Sequence, residues 1–145
     1  MSHGFYGKVL EVNLSAAEMK ETTLPSEDYR RYLGGSGLAA KIFYERGYHK
    51  IAPFDEAAPL LVFTGLLTGH KLPAACKASF CGRSPATEIW AEATVGGYWP
   101  AALRTCCYDG LIITGRSRRP VYLYLSGADV DIRDASALWG KDVYA

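Results

Sequence analysis

The sequence predicts an α+β domain dominated by β-structure, with two packed sheets and a few short helices. Three observations predict it. From Pro59 onward, short alternating or continuous apolar runs recur between turns rich in Gly, Pro and Ser, the pattern of strands. Ahead of Pro59, two short stretches read as helices, and the second carries apolar residues at helical spacing. A length of 145 residues, 49% of them hydrophobic, suffices for one core and so for one domain rather than two.

Each element has its own signal. Leu10, Val12 and Leu14 alternate with Glu11 and Asn13 as in a half-buried strand, and Ser15-Ala16-Ala17 turns the chain into a second strand ending near Thr23. The opening unit is therefore a hairpin. Pro25-Ser26 ahead of Glu27-Asp28 places a hydroxyl cap and two acids at the positive end of a short helix, which Gly34 and Gly35 end. Ser36 is placed to cap a second helix with the stripe Leu38, Ile42 and Phe43, stopped by Gly47. Strands are expected at 60–64, 77–82, 88–93, 111–114, 121–125 and 130–133. One helix, opening around Pro100 and carrying Ala101, Ala102 and Leu103, interrupts them; proline is well tolerated in a first helical turn.

Composition excludes several classes of partner. The formal net charge is +1, without a block of like charges that would suit nucleic acid or a charged membrane surface. No apolar run is long enough to span a bilayer, and the N-terminus does not read as an export signal. The expected compartment is the cytoplasm. The four cysteines, at 76, 81, 106 and 107, read as free thiols there. Vicinal cysteines do not easily aim both sulfurs at one metal, and Cys76 and Cys81 lie in a strand-like stretch whose side chains alternate faces.

The candidate site lies at 91–105. A strand-like run enters Gly96-Gly97 and a helix-like run leaves them, so backbone amides are exposed where no side chain blocks a ligand. That is the geometry of an anion or cofactor cradle, although paired glycines alone also mark ordinary turns. Lys77, on its own, reads as a solvated strand charge, and Trp90, Tyr98 and Trp99 as core aromatics. His3 and His49 carry little, whereas His70 follows a Leu-Thr-Gly turn and could approach a cavity.

Read in order, the blocks YLGGSGLAAK at 32–41, LTG at 67–69, SPAT at 84–87, GGY at 96–98 and YDGLIITGRSRRPVYLY at 108–124 are collinear with a known pattern. The chain resembles the N-terminal domain of the tungsten-dependent aldehyde ferredoxin oxidoreductase family over essentially its whole length. The resemblance implies that residues 1–145 form the β-rich base for a tungsten (or molybdenum) bis-pterin cofactor, within a longer chain. It places the magnesium-bridging backbone carbonyl at Thr94. Val95, Gly96 and Gly97 become the backbone that approaches the pterin phosphate, and Lys77 stands where relatives carry a pterin-binding arginine. Lysine there keeps the charge and loses the planar fork. Ser36 and the Cys106-Cys107 pair also depart from the family pattern.

The implied reaction is oxidation of an aldehyde to a carboxylic acid, with ferredoxin or another iron–sulfur carrier taking the electrons from a 4Fe–4S cluster ligated outside this segment. No catalytic residue is expected within it. The expected partners are the remaining domains of the parent enzyme and the electron carrier, with homo-oligomerisation left open. Two alternatives stand beside this: a tungsten subunit of a benzoyl-CoA-reductase-like enzyme, and a non-catalytic pterin-binding or protein-interaction module.

Overall fold

The computed structural model describes residues 4–142 and Tyr144; His3 lies outside that set. The chain opens with the hairpin β1 (Lys8–Asn13) and β2 (Glu18–Thr23), then α1 (Ser26–Tyr32), α2 (Gly35–Glu45) and a single 3-10 turn at Tyr48–Lys50. There follow β3 (Leu60–Thr64), β4 (Ala78–Arg83), β5 (Trp90–Val95), α3 (Trp99–Thr105), β6 (Gly110–Thr114), β7 (Val121–Ser126) and β8 (Asp129–Asp134).

Six strands make one sheet in the order β2-β1-β6-β3-β4-β5, and β7 pairs with β8 in a second, two-stranded sheet. Only β1 and β6 run parallel in the six-stranded sheet. Both faces of that sheet are covered. Val9, Leu61, Phe63, Cys81 and Ile112 pack on one side against Tyr29, Leu38, Ile42 and Phe43 of α1 and α2. Leu10, Val12, Val62, Ala78 and Leu111 pack on the other side against Leu103 of α3, with Leu123, Leu125, Val130 and Ile132 of the small sheet closing over them. The continuous apolar runs of β3 and β6 follow from this, because neighbouring side chains point to opposite faces and here both faces are dry.

Strand and helix existence agrees with the sequence reading, while several ends move. Ser26 does not cap α1; Pro25 holds the cap position, with φ −59° and ψ 142°, and no side chain bonds the first turn. Leu33, in the left-handed region at φ 60°, ends α1. Gly34 instead forms an isolated bridge with Gly65, and Ser36 lies inside α2. The fifth strand starts at Trp90 rather than at 88, because the Ser84 hydroxyl accepts from the Ala86 and Thr87 amides and the turn closes with Ser84 N–H to Ile89 O at 2.9 Å. No helix among the described residues is long and apolar enough to cross a membrane.

Candidate functional site

Strands β4 and β5 pair so that Ala78 faces Val95 and Ser79 faces Thr94. Lys77 directly precedes that register and Gly96 directly follows it, so the sheet brings together all five sequence-predicted positions: Lys77, Thr94, Val95, Gly96 and Gly97. All five are exposed. As the outermost strand, β5 also leaves alternate backbone groups without a partner inside the sheet.

The Gly96-Gly97 turn is held and yet open. Cys76 Sγ donates to Gly97 O at 2.7 Å. Neither glycine N–H donates to another backbone group among the described residues. Gly97 sits at φ +83°, and a Cβ added there would meet nothing within 4 Å. Glycine is therefore favoured there by backbone conformation and leaves an empty approach, as an anion-binding turn needs.

Around this turn lies a concavity of about 650 Å³, lined by Lys77, Gly96 and Gly97 together with His70, Lys71, Cys76 and Tyr98. Its lining contains two lysines and no Asp or Glu. Cationic side chains and free amides with no competing carboxylate make a seat for an anion.

Three of these residues escape sequence reasoning. Tyr98 reads as a core aromatic but is 95% exposed; Trp90 packs edge-on to Phe43 of the core at 5.1 Å between ring centroids, and Trp99, 43% exposed, lies against Phe80 at 5.5 Å. The signal for Tyr98 is its place directly after two glycines, where no strand remains to bury it. Lys71 and Cys76 carried no usable signal, since each enters the site only through the winding of the 65–77 loop.

The far end of α3 is built in the opposite way. Arg104 and Asp109, 3% and 2% exposed, form a buried ion pair. Asp109 also accepts from the Tyr6 and Gly7 amides, the latter at 2.6 Å, while Arg104 donates to Gly4 O at 2.7 Å and lies over the Tyr6 ring. Burial lowers the Arg104 pKa from its ordinary value. The pair bolts α3 to the segment ahead of β1 and so fixes the helix that leaves the Gly-Gly turn.

All four cysteines are free thiols. Cys81 and Cys106 are buried in the clusters on opposite faces of the sheet, and burial pushes the Cys81 thiol up to about 12. No group of three His, Cys, Asp or Glu side chains that could hold a metal ion exists among the described residues. His49 stacks on Tyr44, and His70 is exposed at the concavity. The residues present therefore fit the anionic end of a cofactor and do not fit an iron–sulfur cluster.

Fold and site together define a class: a β-sheet base with an open glycine turn and an acid-free concavity at its edge. The chain belongs to the family of the aldehyde ferredoxin oxidoreductase N-terminal domain, whose model matches residues 9–145. It is 38% identical over 138 residues to a tungsten-containing aldehyde ferredoxin oxidoreductase of Pyrococcus horikoshii, covering 95% of this chain and 23% of that protein. An aliphatic sulfonate oxidoreductase, WOR-like subunit, of Pyrococcus furiosus is 32% identical over 141 residues, covering 95% of this chain and 22% of its own length. Among solved structures, the active site complex BamBC of benzoyl coenzyme A reductase with 1,5-dienoyl-CoA superposes with a TM-score of 0.93 at 34% identity, covering 98% of this chain and 22% of that one. The chain thus spans less than a quarter of the length of these relatives.

Proposed function

We propose that this chain is the cofactor base of a tungsten (or molybdenum) bis-pterin oxidoreductase that oxidises aldehydes to carboxylic acids, with ferredoxin or another iron–sulfur carrier as electron acceptor. The observation that carries the reading is the open Gly96-Gly97 turn beside Lys77, in a concavity without a carboxylate. The metal–pterin group, when bound, supplies the two-electron redox chemistry.

The work of this chain's residues is binding and orientation. Lys77 neutralises a phosphoryl group as a mobile point charge, and the Gly96 and Gly97 amides donate hydrogen bonds to it. Val95, 40% exposed, offers an apolar contact at the end of β5. The Thr94 carbonyl, on the edge strand, is the oxygen we assign to magnesium, a hard cation that takes oxygen ligands and retains waters. Ligands for a 4Fe–4S cluster and groups that move protons near the metal are assigned to parts of the protein beyond this segment. The setting we propose is the cytoplasm, where reduced thiols are the ordinary state.

The backbone likeness to the benzoyl coenzyme A reductase complex favours a second reading, a tungsten subunit that handles an aromatic thioester. Both readings use the same cofactor seat and differ in substrate. The test is to isolate the native polypeptide from its source cells, identify it by a peptide from residues 84–104, and measure its mass and metal content. Tungsten or molybdenum in near-stoichiometric amount is the expected result. A native polypeptide free of both metals would overturn the oxidoreductase reading in favour of a non-catalytic module, and aldehyde against aromatic thioester turnover then separates the two enzyme readings.

A further inference from the structure

We infer that Lys71 is a second anion-binding residue of the concavity and that, with Lys77, it selects a phosphoryl ligand carrying at least two negative charges. The inference rests on the reading of the concavity as a phosphate seat. Its starting point is the loop between β3 and β4. Thr68, 1% exposed, donates its hydroxyl to Lys77 O at 2.8 Å and accepts from Lys77 N at 3.4 Å. That reciprocal pair closes the loop into a ring. Turn bonds from Thr68 N to Gly65 O at 3.0 Å, His70 N to Leu67 O at 3.2 Å and Leu72 N to His70 O at 2.8 Å wind it further. The winding carries Lys71, six positions before Lys77, onto the wall of the same concavity.

The charges on that wall are unbalanced. Lys8 pairs with Glu21, and Lys41 with Asp28 and Glu45. Lys71 and Lys77 are exposed, belong to no ion pair among the described residues, and share a lining without any acid. Two ammonium groups facing one space repel each other, and a single multiply charged anion between them removes that repulsion while gaining attraction from both. A singly charged anion neutralises only one. Flexible lysine stems, unlike a planar guanidinium fork, adapt to phosphoryl oxygens at variable positions. The Gly96 and Gly97 amides, in the same lining, then supply directional hydrogen bonds.

The experiment is amine acetylation of the 145-residue chain read by mass spectrometry, in chloride, inorganic phosphate or pyrophosphate at matched ionic strength, paired with calorimetric titration of pyrophosphate. Pyrophosphate is expected to slow acetylation of both Lys71 and Lys77 severalfold and to leave the exposed Lys20 and Lys50 at their chloride rates. Lys71→Ala is expected to weaken pyrophosphate binding about tenfold, as loss of one charge-assisted contact does, with Lys71→Arg restoring most of it. Lys71 lies in an exposed loop, so unchanged circular dichroism is the control for folding. Protection of Lys77 alone, or unaltered pyrophosphate affinity in Lys71→Ala, overturns the role of Lys71 and leaves the phosphate seat standing. If neither lysine is protected, or all lysines are protected alike, the phosphate seat itself fails.

Discussion

The two ends of the segment 95–110 use glycine for opposite purposes. Gly97 faces empty space, with no atom within 4 Å of an added Cβ. Gly110, at the start of β6, has the Phe63 ring at 2.5 Å and Val62 O at 2.7 Å from the same imagined atom. One glycine leaves an open approach; the other lets a sheet close. The polar groups divide in the same way, since Lys71 and Lys77 are exposed at the first end and join no ion pair among the described residues, while Arg104 and Asp109 are buried and paired at the second. Helix α3 joins the two, so a rigid anchor at its C-terminal end holds an open turn at its N-terminal end.

The sharpest way to break this contrast is at the anchor. Asp109→Ala strands a buried guanidinium and removes the acceptor of the Tyr6 and Gly7 amides, and we expect a loss of about 4 kcal/mol in denaturant unfolding. A loss under 1 kcal/mol would refute the anchor. Gly110→Ala comes next: because one of the crowded atoms is backbone, the strand must shift, and about 3 kcal/mol is expected from the same measurement.

Gly97→Ala tests the open end, where a left-handed alanine costs only about 1 kcal/mol of stability. Its expected signature is a nearly normal unfolding curve with loss of pyrophosphate binding, so retained binding would contradict the seat. The smallest effect concerns the surface pair of Arg46 and Glu11, 2.8 Å apart on the helix-covered side. The hydrogen bond from Arg46 holds the Glu11 carboxyl below its ordinary value of 4.5. With the folded value lower than the unfolded one, its contribution is complete above about pH 4.5 and decays as the pH falls through the folded value. Glu11→Gln should therefore lower stability at pH 7 by a few tenths of a kcal/mol at most, and the difference from the unsubstituted chain should vanish as the pH falls through the folded value, which flattens the acid limb of a stability profile.

Much of this contrast is already written in local sequence, and part of it is not. Periodicity in β1, β3 and β6, the glycine pair and the proline in the first turn of α3 each act through neighbours in the chain, so the element list, the β-dominated class and the exposed turn follow without coordinates. Lys77 and Thr94–Gly97 were also legible, through the collinear blocks, as one group of residues. The side chains that complete the site were not. Tyr98 resembles any core aromatic unless weight is given to its place directly after the glycine pair. Lys71 and Cys76 matter because a buried threonine winds one loop against another. Arg104 and Asp109, five residues apart, give no sign that both are dry and bound to the segment ahead of β1.

Sequence by itself thus determined which segments are strands and helices, which glycines interrupt them, and which family the pattern resembles, because those properties depend on contacts within a few residues. Only the tertiary structure decided which glycine is packed and which is open, which charges are paired and which face a shared space. Those distinctions depend on what lies across the sheet or across a loop, at sequence separations such as the 102 residues between Gly7 and Asp109, where no local pattern records the neighbour.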